Sequence, residues 1–181
     1  TPSSLVTVVP VPVAAFTPDK TTGCPPALVQ FTNQSQNADE YKWTFGDGGT
    51  SPAIHPDHIY TETGTYTVTL IATAQELCAD TLSKTSLVQI KPAPVAAFTS
   101  LPPENTPVEL HLANFLFSNE SDNATAYHWH FGDSSFSSLT GPAHKYDYPG
   151  NYVVTLTAMN DIGCTDTVTR RYYQVVPDEV L

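Results

Sequence analysis

The sequence predicts an all-β protein built from two copies of one small sandwich, and three observations carry that reading. A phrase is written twice, as Tyr41-Lys-Trp43-Thr-Phe45-Gly46-Asp47 and as Tyr127-His-Trp129-His-Phe131-Gly132-Asp133. Around both copies apolar residues alternate with polar ones at period two, and no long stretch keeps the 3.6-residue period of a helix. The 16 prolines and 9 glycines fall throughout the chain, and both residue types interrupt helices.

The chain opens on a stretch that reappears later. Ser4-Leu-Val-Thr-Val-Val-Pro10-Val-Pro12-Val-Ala-Ala-Phe16 matches Ser86-Leu-Val-Gln-Ile-Lys-Pro92-Ala-Pro94-Val-Ala-Ala-Phe98 at one constant offset. The later stretch is the last strand of one domain running into the next. Residues 1–10 therefore read as the last strand of a preceding repeat, and the chain as a piece of a longer array. Domain one follows at 11–91. Tyr41, Trp43 and Phe45 share one strand face, and Gly46-Asp47-Gly48-Gly49 supplies a tight turn. Tyr60 belongs to a His58-x-Tyr60 phrase. Tyr66, Val68 and Leu70 then alternate with Thr65, Thr67 and Thr69, an apolar inner face against a threonine-rich outer one. A buried Trp on one strand and a Tyr opening a later one are core features of an immunoglobulin-like sandwich.

Domain two, 92–181, repeats this plan. Trp43 and Trp129, Gly64 and Gly150, and Cys78 and Cys164 all stand the same distance apart in the chain, a spacing that suits a small independent β-domain. Its core set is Trp129, Phe131, Tyr146 and Tyr152. Ser134 replaces Gly48, and the interval from Phe98 to Phe117 is longer than the matching one from Phe16 to Phe31. An insertion should therefore alter its first turn and second strand. Gln174-Val-Val-Pro177 resembles Gln89-Ile-Lys-Pro92, another exit into a linker. Prolines 92 and 94 favour an extended, semi-rigid connection, so two domains are expected end to end, each entered at one pole and left at the other.

W-x-F-G-D-G, followed by H-x-Y and G-x-Y-x-V-x-L, resembles the polycystic-kidney-disease (PKD) domain, whose fold is a seven-stranded immunoglobulin-like sandwich. The resemblance covers nearly the whole chain as two copies. It implies a cell-surface or secreted setting, as in Bacteroidota-like proteins, and three kinds of site. Some relatives bind calcium near S-x-D-x-D-G and at the G-D-G aspartate. Here Ser35-Gln-Asn37-Ala-Asp39-Glu40 and Ser121-Asp122-Asn123-Ala-Thr125 lack the D-x-D-G core. Asp39, Asp47, Asp122 and Asp133 are the calcium candidates, with Asp47 and Asp133 reading first as turn residues; no other cofactor is expected. Bacterial relatives often carry a cysteine pair, which makes Cys24–Cys78 a candidate disulfide. Against it, the two lie toward opposite poles of a simple sandwich, and the domain-two position matching Cys24 falls near Thr106. Asp80-Thr81-Leu82 and Asp166-Thr167-Val168 resemble O-glycosylation sites at Thr81 and Thr167, with a strand-opening Asp-Thr pair as the plainer reading.

Composition bounds the partners. Lys and Arg total 7 against 18 Asp and Glu, a formal charge of −11. Such a surface repels nucleic-acid backbones and anionic membranes, and no apolar run reaches membrane-spanning length. The six histidines assemble no hydrolase signature. His58 and His144 sit in the repeated phrase, for packing or turn bonding. His128 and His130 share an outer strand face that could offer two ligands to a metal, with no third evident. No catalysis is expected. The expected role is a structural and adhesive module of a larger extracellular or cell-surface protein, whose partners are neighbouring domains and an unidentified protein or polysaccharide. The alternative is an accessory segment of a secreted glycoside hydrolase or protease, with Phe136, and Tyr172 or Tyr173, as contact aromatics.

Overall fold

The computed structural model describes residues 10–74 and 78–178. The stretch assigned to a preceding repeat therefore lies, but for Pro10, outside the described residues, as does the Tyr172 side chain. The chain divides into two compact units, Thr1–Lys91 and Pro92–Leu181, each with its own core.

In the first unit, β1 (Phe16–Pro18), β3 (Ala27–Asn33) and β6 (Asp57–Tyr60) form one sheet, in the order β1-β3-β6. The other sheet contains β2 (Thr22–Gly23), β4 (Glu40–Thr44), β5 (Thr50–Ser51), β7 (Gly64–Ala74) and β8 (Cys78–Ile90), in the order β2-β8-β7-β4-β5. Period-two burial sets the faces. On β3, Ala27, Val29 and Phe31 are buried while Leu28, Gln30 and Thr32 face out. On β7 the buried positions are Val68, Leu70, Ala72 and Ala74. Side chains from both sheets meet in one cluster around Trp43, with the Phe16 ring 5.1 Å and the Phe31 ring 5.7 Å from it. The indole N–H of Trp43 donates to the Ala53 carbonyl at 2.9 Å, so the largest buried side chain leaves no polar group unsatisfied.

The second unit is built alike. Its sheets are β9 (Phe98–Leu101), β11 (Asn114–Asn119) and β14 (Ala143–Lys145), ordered β14-β11-β9, and a five-stranded sheet ordered β10-β16-β15-β12-β13. The latter comprises β10 (Val108–Glu109), β12 (Ala126–His130), β13 (Phe136–Ser137), β15 (Gly150–Met159) and β16 (Thr165–Val176). The expected insertion is a single 3-10 turn, Leu110–Leu112, between β10 and β11.

Each unit shows eight described strand segments where the family pattern implies seven. The first strand is divided between the sheets: β1 pairs antiparallel with β3, then β2 pairs in parallel with the end of β8. The same switch joins β9 to β10 in the second unit. Nothing in the local alternation marks it, because sheet membership is decided by partners far along the chain.

Each unit is entered and left at opposite poles. In the first, Val13 bridges Gln36, and Asp39 N–H donates to Thr73 O near the β7 end, whereas Ile90 leaves beside Gly64 and Gly23. In the second, Val95 bridges Asp122, while Val175 leaves beside Gly150 and Val108. This geometry disposes of the Cys24–Cys78 disulfide. Cys24 follows Gly23, which lies opposite Ile90, while Cys78 begins the same strand β8. The length of that strand separates its ends by about 40 Å, and a disulfide requires Cα atoms within about 7 Å. Cys78 is an exposed free thiol.

Candidate functional site

The repeated phrase folds into a repeated polar clamp. After β4 the chain turns through Gly46, whose φ of +89° is open to glycine at little cost; a Cβ there would meet the Thr67 carbonyl oxygen at 2.6 Å. Phe45 N–H donates to Gly49 O at 3.1 Å, and Gly49 N–H donates to Asp47 Oδ1 at 2.9 Å. The other oxygen, Asp47 Oδ2, is 2.6 Å from His58 Nε2. The His58 ring lies flat on Phe45, centroids 4.1 Å apart, and edge-on to Tyr60 at 4.7 Å. Tyr60 is fully buried, and its hydroxyl donates to Phe45 O at 3.0 Å. Turn, strand β4 and strand β6 are thereby locked together by one carboxylate, one imidazole and one phenol.

The second copy reproduces this. Asp133 Oδ2 is 2.7 Å from His144 Nε2, His144 stacks on Phe131 at 4.2 Å, and the Tyr146 hydroxyl donates to Phe131 O at 2.8 Å. Ser135 replaces Gly49; both its N–H and its hydroxyl donate to Asp133 Oδ1. Burial raises the Asp47 carboxyl, but the His58 and Gly49 N–H hydrogen bonds outweigh it and hold the group below the ordinary aspartate value. At Asp133 burial is again outweighed, there by Ser135 and His144. Tyr60 and Tyr146 are pushed above the ordinary phenol range by burial first and by the adjacent aspartate second.

Ser135, His144 and Asp133 have the residue types of a hydrolytic triad but not its wiring. Ser135 Oγ at 3.4 Å and Asp133 Oδ2 at 2.7 Å both address His144 Nε2. A relay needs the nucleophile and the carboxylate on opposite ring nitrogens. Ser135, His144 and Asp133 therefore do not form such a relay; their contacts tie the turn to the strands on either side.

The remaining sequence candidates are scattered. Trp43, Phe45, Tyr60, Trp129, Phe131 and Tyr146 are buried, while Tyr41, Tyr66 and Tyr152 are half-buried against the same cores. Tyr66 and Tyr152 donate to the carbonyls of Glu62 and Tyr148, four residues upstream. Asp39 precedes β4 and Asp47 follows it, so about 17 Å of strand separates the two calcium candidates of the first unit. Asp122 and Asp133 flank β12 in the same way. Neither pair converges on one ion. Thr81 and Thr167 are exposed, and the Thr167 hydroxyl is bonded to Thr157 at 3.0 Å.

Sequence reading missed what the aspartates beside those threonines do. Asp80 Oδ2 accepts from Ala14 N–H at 2.8 Å, and Asp166 Oδ2 from Ala96 N–H at 2.7 Å. Each anchors the chain as it enters its unit. The repeated Asp-Thr was the available signal, but its partner lies 66 or 70 residues away. His128 is exposed, His130 is half-buried, and both rings lie against Phe136, at 5.5 and 4.8 Å. Phe136 is 59% exposed, and Tyr173 is buried.

The profile of the PKD domain matches residues 9–90 and again 91–176. PKD domains are non-catalytic immunoglobulin-like modules, typical of extracellular or secreted proteins, within larger multi-domain chains. The PKD1 domain of Vibrio anguillarum Epp is 32% identical, the match covering 48% of this chain and 96% of that one, with a TM-score of 0.39. The PKD1 domain of the Vibrio cholerae metalloprotease PrtV is 31% identical over 46% of this chain and 96% of that one, with a TM-score of 0.38. The fibronectin(III)-like modules of Clostridium thermocellum CbhA align over 90% of this chain and 95% of theirs, at 9% identity and a TM-score of 0.46. Matched twice over nearly its whole length, the chain belongs to the PKD domain family, as a tandem pair.

Proposed function

We propose that this tandem pair is a semi-rigid spacer, with exposed faces for contact, in a larger extracellular or cell-surface protein. The observation that carries the reading is the passage of the chain through each unit from one pole to the other. Strand β8, 13 residues long, advances the chain by about 40 Å. A domain used as a bulky insert would return the chain to where it entered; one used for length would not. The connection Lys91-Pro92-Ala93-Pro94 restricts the backbone at two of its four residues. Polar side chains support stiffness at the second unit's opening: Asn160 Nδ2 donates to Pro92 O at 3.2 Å and Asn123 Nδ2 to Ala93 O at 3.4 Å. The acidic surface opposes contact with nucleic acid and anionic lipid. Small-angle scattering from the full chain tests the reading: an elongated particle supports it, and a compact globule overturns it.

A second reading has one observation of its own. Phe136, with His128 and His130 against it, is an exposed ring on the outer face of the second unit, suited to stacking on a sugar or a polymer side chain. It favours an accessory domain that engages a polymeric substrate for a hydrolase or protease. Pull-down on chitin, cellulose and collagen separates the readings: retention lost in Phe136→Ala supports the accessory role, and no retention on any polymer rejects it.

A further inference from the structure

The insertion that distinguishes the second unit does more than lengthen a loop. It places Glu109 at the end of β10 and His111 within the 3-10 turn Leu110–Leu112. Because β10 pairs in parallel with β16, with Glu109 opposite Val176, the chain leaving β16 runs past that turn. His111 N–H donates to Asp178 Oδ1 at 3.0 Å and fixes the carboxylate there. His111 Nδ1 is 2.9 Å from Asp178 Oδ1 and 3.5 Å from Glu109 Oε2. We propose that Glu109, His111 and Asp178 form a binding site for a divalent transition metal of the zinc class.

Geometry comes first. One ligand atom from each residue lies within 4.8 Å of the other two, and among the described residues this is the single such group of His, Cys, Asp and Glu. A tetrahedral ion with bonds of about 2.0–2.1 Å needs ligand edges of about 3.3–3.4 Å. The two edges from His111 Nδ1, 2.9 and 3.5 Å, bracket that value, and the third, between Glu109 and Asp178, is within 4.8 Å, so seating an ion asks the exposed carboxylates to adjust around the imidazole. Donor chemistry selects the metal. One imidazole nitrogen and two carboxylate oxygens suit zinc or its neighbours, with water as the fourth ligand. Calcium demands six to eight oxygens, and magnesium releases its waters reluctantly. Two carboxylates also balance a charge of +2. Preorganisation is local: a strand pair sets the spacing, and a main-chain N–H aims one of the ligands.

Access is assured, since the side chains of His111, Glu109 and Asp178 are 56%, 40% and 48% exposed. The same exposure makes the site exchangeable, a tie between the departing strand and the inserted turn. Among the described residues the first unit has no counterpart. At the equivalent place β2 ends in Gly23 opposite Ile90, and neither residue carries a donor side chain, so one ion per chain is expected.

The test is a calorimetric titration of the full chain with zinc, in a Cys78→Ser background so that the exposed thiol cannot bind. The expected result is saturable binding of one ion per chain, with the His111 ring resonances shifting alone among the histidines. His111→Ala and Asp178→Asn should each lower affinity by more than about tenfold, the lower end of what losing even an outer-shell partner costs. His128→Ala and His130→Ala should leave it unchanged. Unchanged tryptophan emission checks the fold of each variant, and the His111 resonances of the parent protein decide the matter if a variant fails that check. Absence of saturable binding, retention of affinity without His111, or a shift at His128 and His130 instead would overturn the proposal.

Discussion

Tyr60→Phe removes one oxygen and leaves the ring. The phenyl group keeps its stacking partner Tyr66 at 4.5 Å and its edge contact with His58 at 4.7 Å, so no cavity larger than an oxygen forms. What disappears is the 3.0 Å hydrogen bond to the Phe45 carbonyl, at a residue with no solvent exposure. A buried acceptor left without its donor costs about 1–3 kcal/mol. In a domain of about 85 residues, whose total stability is about 4–12 kcal/mol, that is a large share. It corresponds to a fall of about 4–8 °C in the unfolding temperature for each kcal/mol. Tyr146→Phe removes the equivalent 2.8 Å bond to Phe131 O and should cost the same within error. Urea unfolding followed by tryptophan emission measures the free energy, since each domain carries one of the two Trp residues. Hydrogen exchange by mass spectrometry assigns each loss to its own domain. A cost below about 0.5 kcal/mol, the bottom of the range for a made hydrogen bond, would refute the claim that these phenols satisfy buried carbonyls. So would a Tyr60→Phe effect located in residues 92–181.

The other expectations follow from the same clamp. Gly46→Ala should destabilise the first domain well beyond Gly48→Ala. Both have positive φ, +89° and +95°, but only at Gly46 would the new Cβ strike backbone, at 2.6 Å, while nothing lies within 4 Å of the other. Conversely Ser134, at φ +74° where the first domain has Gly48, bears left-handed strain, so Ser134→Gly should stabilise the second domain by up to about 1 kcal/mol; thermal melts that rank these variants otherwise would contradict the turn assignment. Acid should weaken both domains through Asp47 and Asp133, whose folded carboxyls are held below the ordinary value. The unfolded chain, titrating at about 3.9, takes up protons first, so this stabilisation is whole above about pH 4 and disappears as pH falls through the lower folded value. Denaturation between pH 7 and pH 3 should show a shallower acid decline in the Asp47→Asn, Asp133→Asn double variant; an identical decline would dissociate the clamp from acid sensitivity.

What could be read from the sequence was whatever repeats locally. The alternation Tyr41-Trp43-Phe45 faces Trp43 and Phe45 inward because a strand admits no other arrangement, and the constant spacing of the two copies carries the same logic to Trp129 and Phe131. Glycine at 46 and 132 marks a turn that a side chain would obstruct. What could not be read depends on partners brought close only by folding. The first strand changes sheets because its second half, Thr22 and Gly23, meets Gln89 and Ile90 at the far end of β8. Asp80 and Asp166 look like strand-opening residues until Ala14 and Ala96 arrive to donate. His58 reads as a packing or turn-bonding residue, and it is both, since its ring covers Phe45 while its Nε2 holds Asp47. Glu109 and His111 stand two apart in an insertion, a faint signal, and Asp178 joins them from 67 residues away. The Cys24–Cys78 pairing failed for the same reason in reverse, since family habit suggested a bridge that the length of β8 forbids.

The central claim is reach, and small-angle X-ray scattering of the full chain at several concentrations addresses it most directly. The proposed spacer, with two domains of about 12 Å radius of gyration set end to end about 40 Å apart, would give an overall value of about 23 Å and a maximum dimension of about 80 Å. A single compact particle of 181 residues would give about 16 Å. A radius of about 23 Å with a bimodal distance distribution supports the spacer. A radius of about 16 Å, or a featureless distribution of the kind a freely jointed pair produces, contradicts it.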